Sequence, residues 1–444
     1  MPPLVYSYET AFDLFRGPTA PYAILLLIAL PLLSLSVDRM RWWLLTAMFF
    51  IIPLDGMRLY VVDAALLHGS IDFGYHPLLE WLMRYSRPLF MLIILCMLLS
   101  ALRFSRGWRT VLVCRTAKLL LALQLFMAFR MMLSGLTRTK GVQAMVAAPM
   151  LFFLLVPFVS SWIQSMADAR KIALSIIWAL VLLHLCVFVQ MIHSLDPIIV
   201  NGRSYWASTN PQASSMILAL TIPMLLWVIV DKKFTRQQRI VTICCLVANV
   251  FFLMWTGSRM GLLAMIVGAL VFFRSRLSRG VLIIGVITAL VLALEAAFGE
   301  HSSIMFHRIT SAGNTRAGAW EIAIAQFMRS PLLGSEGAGY AESAYLSAFG
   351  RFGIIGGGLI LAFVGSLLGE LLQLRRRYKH TEHQGLSDCL IASFLALLTV
   401  AVFEASMLGS LAFWVFLLLV LLALLAFTQD HIRRAEYDLA YAQL

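Results

Sequence analysis

The chain has 444 residues, 61% of them hydrophobic and 13% charged, with 35 Lys and Arg against 22 Asp and Glu for a formal net charge of +13. Soluble domains carry roughly 45–50% apolar and ~25% charged residues, so the apolar excess must face lipid, and disordered, collagenous and disulfide-scaffold classes are excluded. The basic balance does not point to nucleic acid, because most of the cations stand in clusters between apolar runs.

Residues 1–16 contain Glu9 and Asp13 and lack the basic start of a cleaved signal peptide, so the first span is expected to act as the insertion signal. Apolar runs follow near 20–37, 42–54, 88–102, 116–133, 142–160, 172–192, 214–230, 240–255, 260–273, 281–298, 353–372, 386–408 and 410–427. At ~20 residues per span they predict an all-α polytopic membrane protein with 12 or 13 transmembrane helices. The two counts differ in whether 42–54, short for ~30 Å of hydrocarbon, spans the bilayer or is a shallow, re-entrant segment. Counted back from a cytoplasmic C-terminus, every basic cluster, from Arg39/Arg41 to Arg433/Arg434, falls on one side, which the excess of positive charge makes the cytoplasmic one.

Four regions result: 1–192 with the N-terminal helices, 193–298 with central helices and arginine-bearing outer loops, 299–352 as a large outer loop, and 353–444 with the C-terminal helices and a cytoplasmic tail. Three outer segments exceed a turn: Asp55 to Arg87, His193 to Gln212, and Gly299 to about Phe352. Within the last, Thr315 to Arg329 places Trp320, Ile324, Phe327 and Met328 on one face of an amphipathic helix expected to lie on the membrane surface. Ser330-Pro331 ends that helix, and Gly334, Gly337 and Gly339 supply a flexible turn. Cys96, Cys114, Cys186, Cys244, Cys245 and Cys389 lie in or beside apolar runs, form no CxxC pair, and read as packing residues.

Charge beside hydrocarbon costs a few kcal/mol per residue on insertion scales, so arginines at outer helix ends carry information. Arg203 precedes a span in NGRSYWASTNPQ, Arg259 stands between two spans in TGSRMG, and Arg316 opens the surface helix in NTRAGAW. They either contact lipid headgroups and pair with Asp196, Glu295 or Glu300, or converge on a diphosphate whose oxygens match the guanidinium fork. Arg130, one turn inside the outer end of its span, either snorkels or reaches into a polar cavity.

Glu336 and Glu342 flank the glycine-rich turn close to Arg316. A low-dielectric interface can raise a carboxylate pKa toward that of a general base; the alternative is a pair of solvated loop acids. His193 and Asp196 read as cap or turn residues. No phosphate-loop, dinucleotide, zinc-protease or nucleophile-elbow motif occurs, and neither cofactor nor metal is expected. Asp55, Asp63 and Asp72 share the first outer segment, spaced too widely for more than a weak metal signal.

The order GRSYWASTNPQASSMILALTIP, WTGSRMGLLAMIVGALVF, TRAGAWEIAIAQFMRSPLLGSEGAGYAESAYLSAFGRFGIIGGGLI resembles the O-antigen ligase and Wzy-type polysaccharide polymerase superfamily. Arg203 with Asn210, Ser258-Arg259, Arg316 with Trp320, Pro331-Leu332 with Gly334, and Gly353 with Gly356 carry the resemblance, over residues 200–360. It implies a GT-C-like glycosyltransferase of the bacterial inner membrane, performing metal-independent, inverting transfer at the periplasmic face. The donor would be a glycan on undecaprenyl diphosphate and the acceptor a sugar hydroxyl. Arg203, Arg259 and Arg316, joined by Arg130, would hold the diphosphate and stabilise its charge as it leaves. Glu342 or Glu336 would be the base.

Ligases of the family carry a His-Asn pair where this chain has Glu342-Ser343. The expectation is therefore a polymerase joining lipid-linked repeat units, with ligation to lipid A-core as the alternative. Membrane lipids and a chain-length regulator are the further expected partners. A transporter or flippase would distribute polar residues along several spans, whereas 281–294 and 410–427 are nearly free of them.

Overall fold

The computed structural model describes residues 20–36, 39–68, 74–102, 111, 113–133, 155–195, 199–200, 203–206, 210–274, 317–334, 343–404 and 412–441. Its helices are α1 (Ala20–Ser36), α2 (Met40–His68), α3 (Pro77–Leu102), α4 (Arg115–Leu133), α5 (Met166–His193), α6 (Pro211–Val230), α7 (Arg236–Trp255), α8 (Arg259–Phe273), α9 (Ala317–Arg329), α10 (Ala344–Tyr378), α11 (Gln384–Phe403) and α12 (Phe413–Tyr441). Between α5 and α6, β1 (Ile199–Val200) and β2 (Arg203–Ser204) form an antiparallel hairpin with Val200 opposite Arg203. The helix starts are written in the sequence: Ser165, Asn210, Ser258 and Ser343 each accept a backbone N–H as N-caps, and Thr235 with Gln238 forms a capping box.

Among the described residues, seven helices are long and apolar enough to cross a membrane: α3, α5, α6, α7, α10, α11 and α12. The chain is an all-α multi-pass membrane protein. The runs at 142–154 and 281–298 lie outside the described residues. Helix α6 and the first half of α12 are buried almost all round, as expected of helices without a polar face, and form the centre. Helices α5, α7 and α10 instead leave Leu185, Ile240 and Leu361 exposed, as lipid-facing surfaces do.

Ion pairs gather the basic clusters at one end. Asp168 at the start of α5 meets Lys171 at 3.0 Å and Arg41 at 3.6 Å, and Arg170 meets Asp231 at the end of α6 at 3.1 Å. Arg274 after α8 pairs with Asp388 in the first turns of α11 at 2.8 Å, and Lys233 pairs with Glu382 at 3.5 Å.

Four sequence expectations need correction. The segment 42–54 is part of a longer helix, since α2 continues to His68, and the outer segment Asp55 to Arg87 is mostly helix, α2 running into it and α3 starting at Pro77. Asp55, which ended the apolar run, is neutralised by Arg87 at 3.0 Å and bonded by Ser86 at 3.1 Å, so the acid joins two helices instead of ending one. The span expected from 353 begins earlier, as α10 starts at Ala344 and bends at Gly353. Helix α9 has two apolar faces rather than one: Trp320, Ala323 and Phe327 pack inward, while Ile324 and Met328 are exposed.

Candidate functional site

Helices α6, α8 and α11 form one three-helix unit. Gly268 of α8 makes this possible, because a Cβ there would already lie 3.2 Å from Pro223 of α6 and 3.5 Å from Ala396 of α11. The Arg274–Asp388 pair sets α8 antiparallel to α11, so the start of α8 and the end of α11 share the end opposite the basic clusters. The start of α6 lies there too. Three helix N-termini, those of α6, α8 and α10, point their positive dipole ends to this side.

Two neighbouring serines in the first turn of α6 collect two of the arginine-bearing segments. The hydroxyl of Ser214 donates to the carbonyl of Tyr205, two residues beyond Arg203. Ser215 shares a 2.9 Å hydrogen bond with Ser258, the N-cap residue directly before Arg259. Gly261 keeps the approach close, since a Cβ there would lie 2.6 Å from that of Ser215. Arg203 stands in β2 and Arg259 opens α8 with an exposed side chain.

Two neighbouring residues at the end of α11 collect the next two segments. The ring of Phe403 lies 6.5 Å from that of Trp320 in the first turns of α9, the helix that follows Arg316. The carbonyl of Glu404 accepts the N–H of Ala344 at 3.1 Å, at the start of the helix that follows Glu342-Ser343. Arg316, Glu336 and Glu342 themselves lie outside the described residues, as do Asp196, Glu295 and Glu300. The structure thus brings the Arg203 and Arg259 segments to one helix end, and the helices next to Arg316 and Glu342 to a second helix end of the same unit.

Arg130 has a defined partner. Its Nε donates to the carbonyl of Leu333 at 3.2 Å, tying the end of α4 to the turn after α9. In the described part of that turn, Pro331 to Gly334, the glycine is set by close backbone approaches. Gly334 has φ 75° and Gly353 has φ 63°, where L side chains are strained. A Cβ on Gly334 would strike the Arg351 carbonyl, and one on Gly353 would strike that of Leu332. The carbonyl of Pro331 accepts the N–H of Ile354 at 2.8 Å, compensating a backbone group freed by the bend in α10. Gly337 and Gly339 lie outside the described residues.

A buried polar chain holds the hairpin, and the sequence reading missed it. Trp206, fully buried with φ 42°, donates its indole N–H to His184 Nδ1 at 3.1 Å. The proton on His184 therefore sits on Nε2, which donates to Asn249 Oδ1 at 2.8 Å. The Asn249 amide donates in turn to the Leu218 carbonyl at 3.1 Å and to Thr221 Oγ1 at 3.0 Å. One chain of bonds thus runs from the β2 loop through α5 and α7 to α6. The signal was present: His184 and Asn249 are lone polar residues inside long apolar runs, and buried polar groups require partners. Glu404, also missed, was hidden inside the run 386–408.

Among the described residues, no three His, Cys, Asp or Glu side chains are grouped as metal ligands. Asp55 of the weak metal signal is engaged by Arg87, while Asp72 lies outside the described residues. All six cysteines are free thiols. No protein-family model and no curated protein sequence matches the chain.

Proposed function

We propose that this protein is a polysaccharide polymerase of the bacterial inner membrane that works at the periplasmic face without a metal. It transfers a glycan from undecaprenyl diphosphate to a sugar hydroxyl on another lipid-linked repeat unit. The supporting observation is that the segments bearing Arg203 and Arg259 and the helices adjoining Arg316 and Glu342 share one end of the α6, α8 and α11 unit. Separate roles in separate places would not call for that gathering. The end lies opposite the basic clusters, which suits a periplasmic site under the positive-inside rule.

In the reaction, Arg203, Arg259 and Arg316 hold the diphosphate through charge-assisted hydrogen bonds. Arg130 contributes through its Nη groups while its Nε holds the Leu333 turn. Glu342 takes the proton of the attacking hydroxyl, with Glu336 as the alternative base. The new oxygen–carbon bond forms on the face opposite the breaking carbon–oxygen bond to phosphate, which inverts the anomeric centre. The leaving diphosphate keeps the electron pair, and the guanidiniums stabilise that charge as it develops.

The test is purified protein in liposomes supplied with a lipid-linked repeat unit, with and without lipid A-core. A ladder formed without lipid A-core supports the polymerase. A single transfer that requires lipid A-core assigns a ligase, and passage of the lipid-linked unit across the bilayer without any transfer assigns a flippase.

A further inference from the structure

A second polar feature lies at the basic end, remote from the arginine-bearing segments and independent of how they are read. A cleft of about 590 Å³ opens between the start of α4, the second half of α10 and the end region of α12. Three arginines from three helices line it: Arg115, Arg377 and Arg433. All three are exposed at the level where the apolar segments end. Deeper along α10 the lining turns to small residues, Ala362, Gly365, Ser366 and Gly369, with the polar Glu370 and Gln373 between them and Arg377, and a Cβ on either glycine would meet nothing within 4 Å. Ala362 and Arg377 are about 22 Å apart along the helix at its 1.5 Å rise. The cleft is therefore long and graded, cationic at the mouth and lined by small side chains at its inner end.

Glu370 faces the same cleft, yet its carboxylate is already turned to protein. It accepts the backbone N–H of Arg115 at 2.8 Å and of Thr116 at 3.4 Å, and the Cys114 thiol at 3.3 Å. It thus caps the positive end of the α4 dipole, and its charge is offset locally. The arginines at the mouth remain the dominant charge.

We propose that this cleft binds an anionic phospholipid, with the phosphate diester held by Arg115, Arg377 and Arg433 and an acyl chain lying along Ala362, Gly365 and Gly369. A free phosphate offers the same headgroup chemistry but leaves the small-residue stretch from Ala362 to Gly369 without a role. Basic pockets between transmembrane helices on the cytoplasmic side suit this ligand class.

The experiment is a binding titration on delipidated full-length protein in a neutral detergent, with phosphatidylglycerol, phosphatidylcholine and inorganic phosphate as separate probes. Phosphatidylglycerol is expected to bind more tightly than either of the others. Changing Arg115, Arg377 and Arg433 together to Gln should weaken it about a hundredfold, at about fivefold per arginine near a membrane surface. Arg434→Gln, an equal single charge change at the same end but outside the cleft, should leave binding unaltered. Gly365→Leu with Gly369→Leu should weaken phosphatidylglycerol without changing the response to phosphate. Unaltered phosphatidylglycerol affinity in the triple variant, or equal binding of phosphatidylcholine, would overturn the proposal. Phosphate binding as strong as that of phosphatidylglycerol would overturn it in favour of a soluble anion.

Discussion

Ser215 and Ser258 meet hydroxyl to hydroxyl at 2.9 Å, joining the first turn of α6 to the residue that caps α8. Through this contact the placement of Arg259 depends on α6, and through Ser214 the placement of the Arg203 hairpin depends on the same turn. Both serines at the interface are buried, so neither bond is exchanged with water at low cost. Ser258→Ala is expected to lower stability by about 1 kcal/mol through loss of the cap. Gly261→Ala should be worse, about 1–3 kcal/mol, because its Cβ would sit 2.6 Å from that of Ser215 and 2.8 Å from Leu253 Cδ1. Thermal unfolding in detergent ranks them, and a Gly261→Ala protein as stable as wild type would show that the two helices are not so closely held.

The chain from Trp206 through His184 to Asn249 fixes the hairpin. Asn249→Leu leaves the His184 N–H without an acceptor, at an expected cost of about 1–3 kcal/mol. A double-mutant cycle with Trp206→Phe, which removes the other bond to His184, should show coupling, since the two bonds share one ring. Strict additivity would mean that the hairpin is held by other contacts.

Gly334 and Gly353 cross each other's backbone at the bend of α10. Gly334→Ala and Gly353→Ala should each lower the proposed glycan transfer and stability together. The positive φ alone costs about 1–2 kcal/mol for an L residue, before the backbone collision is added. Gly358→Ala, where an added Cβ meets nothing within 4 Å, serves as the control and should behave as wild type. Activity and unfolding temperature measured on all three separate a local packing requirement from a general sensitivity of the helix.

The seven apolar helices among the described residues were legible in the sequence because burial in lipid imposes long apolar runs. What could not be read was pairing between distant elements. Asp55 looked like the end of a span because its partner Arg87 stands on another helix. Met328 and Trp320 looked like one face of α9, yet only the position of α10 decides which residues pack inward. The arginines of the candidate site were visible as costly charges at helix ends. The gathering of the segments that carry or adjoin them depends on Ser214, Ser215, Phe403 and Glu404, which carry no mark in the sequence.

His383, in the turn before α11, gives the basic end a pH response. Burial holds its imidazole below the ordinary value, and Arg170, Lys233 and His431 oppose its protonation while Glu382 favours it; the Tyr378 ring packs against it at 5.4 Å. A histidine whose folded pKa is depressed contributes stability that is present above the unfolded value, near 6.5, and is lost as pH falls toward the folded one. The unfolding temperature of the wild type should therefore drop below that pH more steeply than that of His383→Gln. Parallel curves for the two proteins would remove His383 as the source.

The central claim is that guanidiniums from three separate segments act on one diphosphate, and equilibrium binding of undecaprenyl diphosphate to the purified protein addresses it most directly. Arg203→Ala, Arg259→Ala and Arg316→Ala are each expected to weaken binding by roughly tenfold to a hundredfold, the range for a hydrogen bond to a charged group, while Arg434→Ala at the opposite end leaves it unchanged. Wild-type affinity in the three site variants would contradict the account.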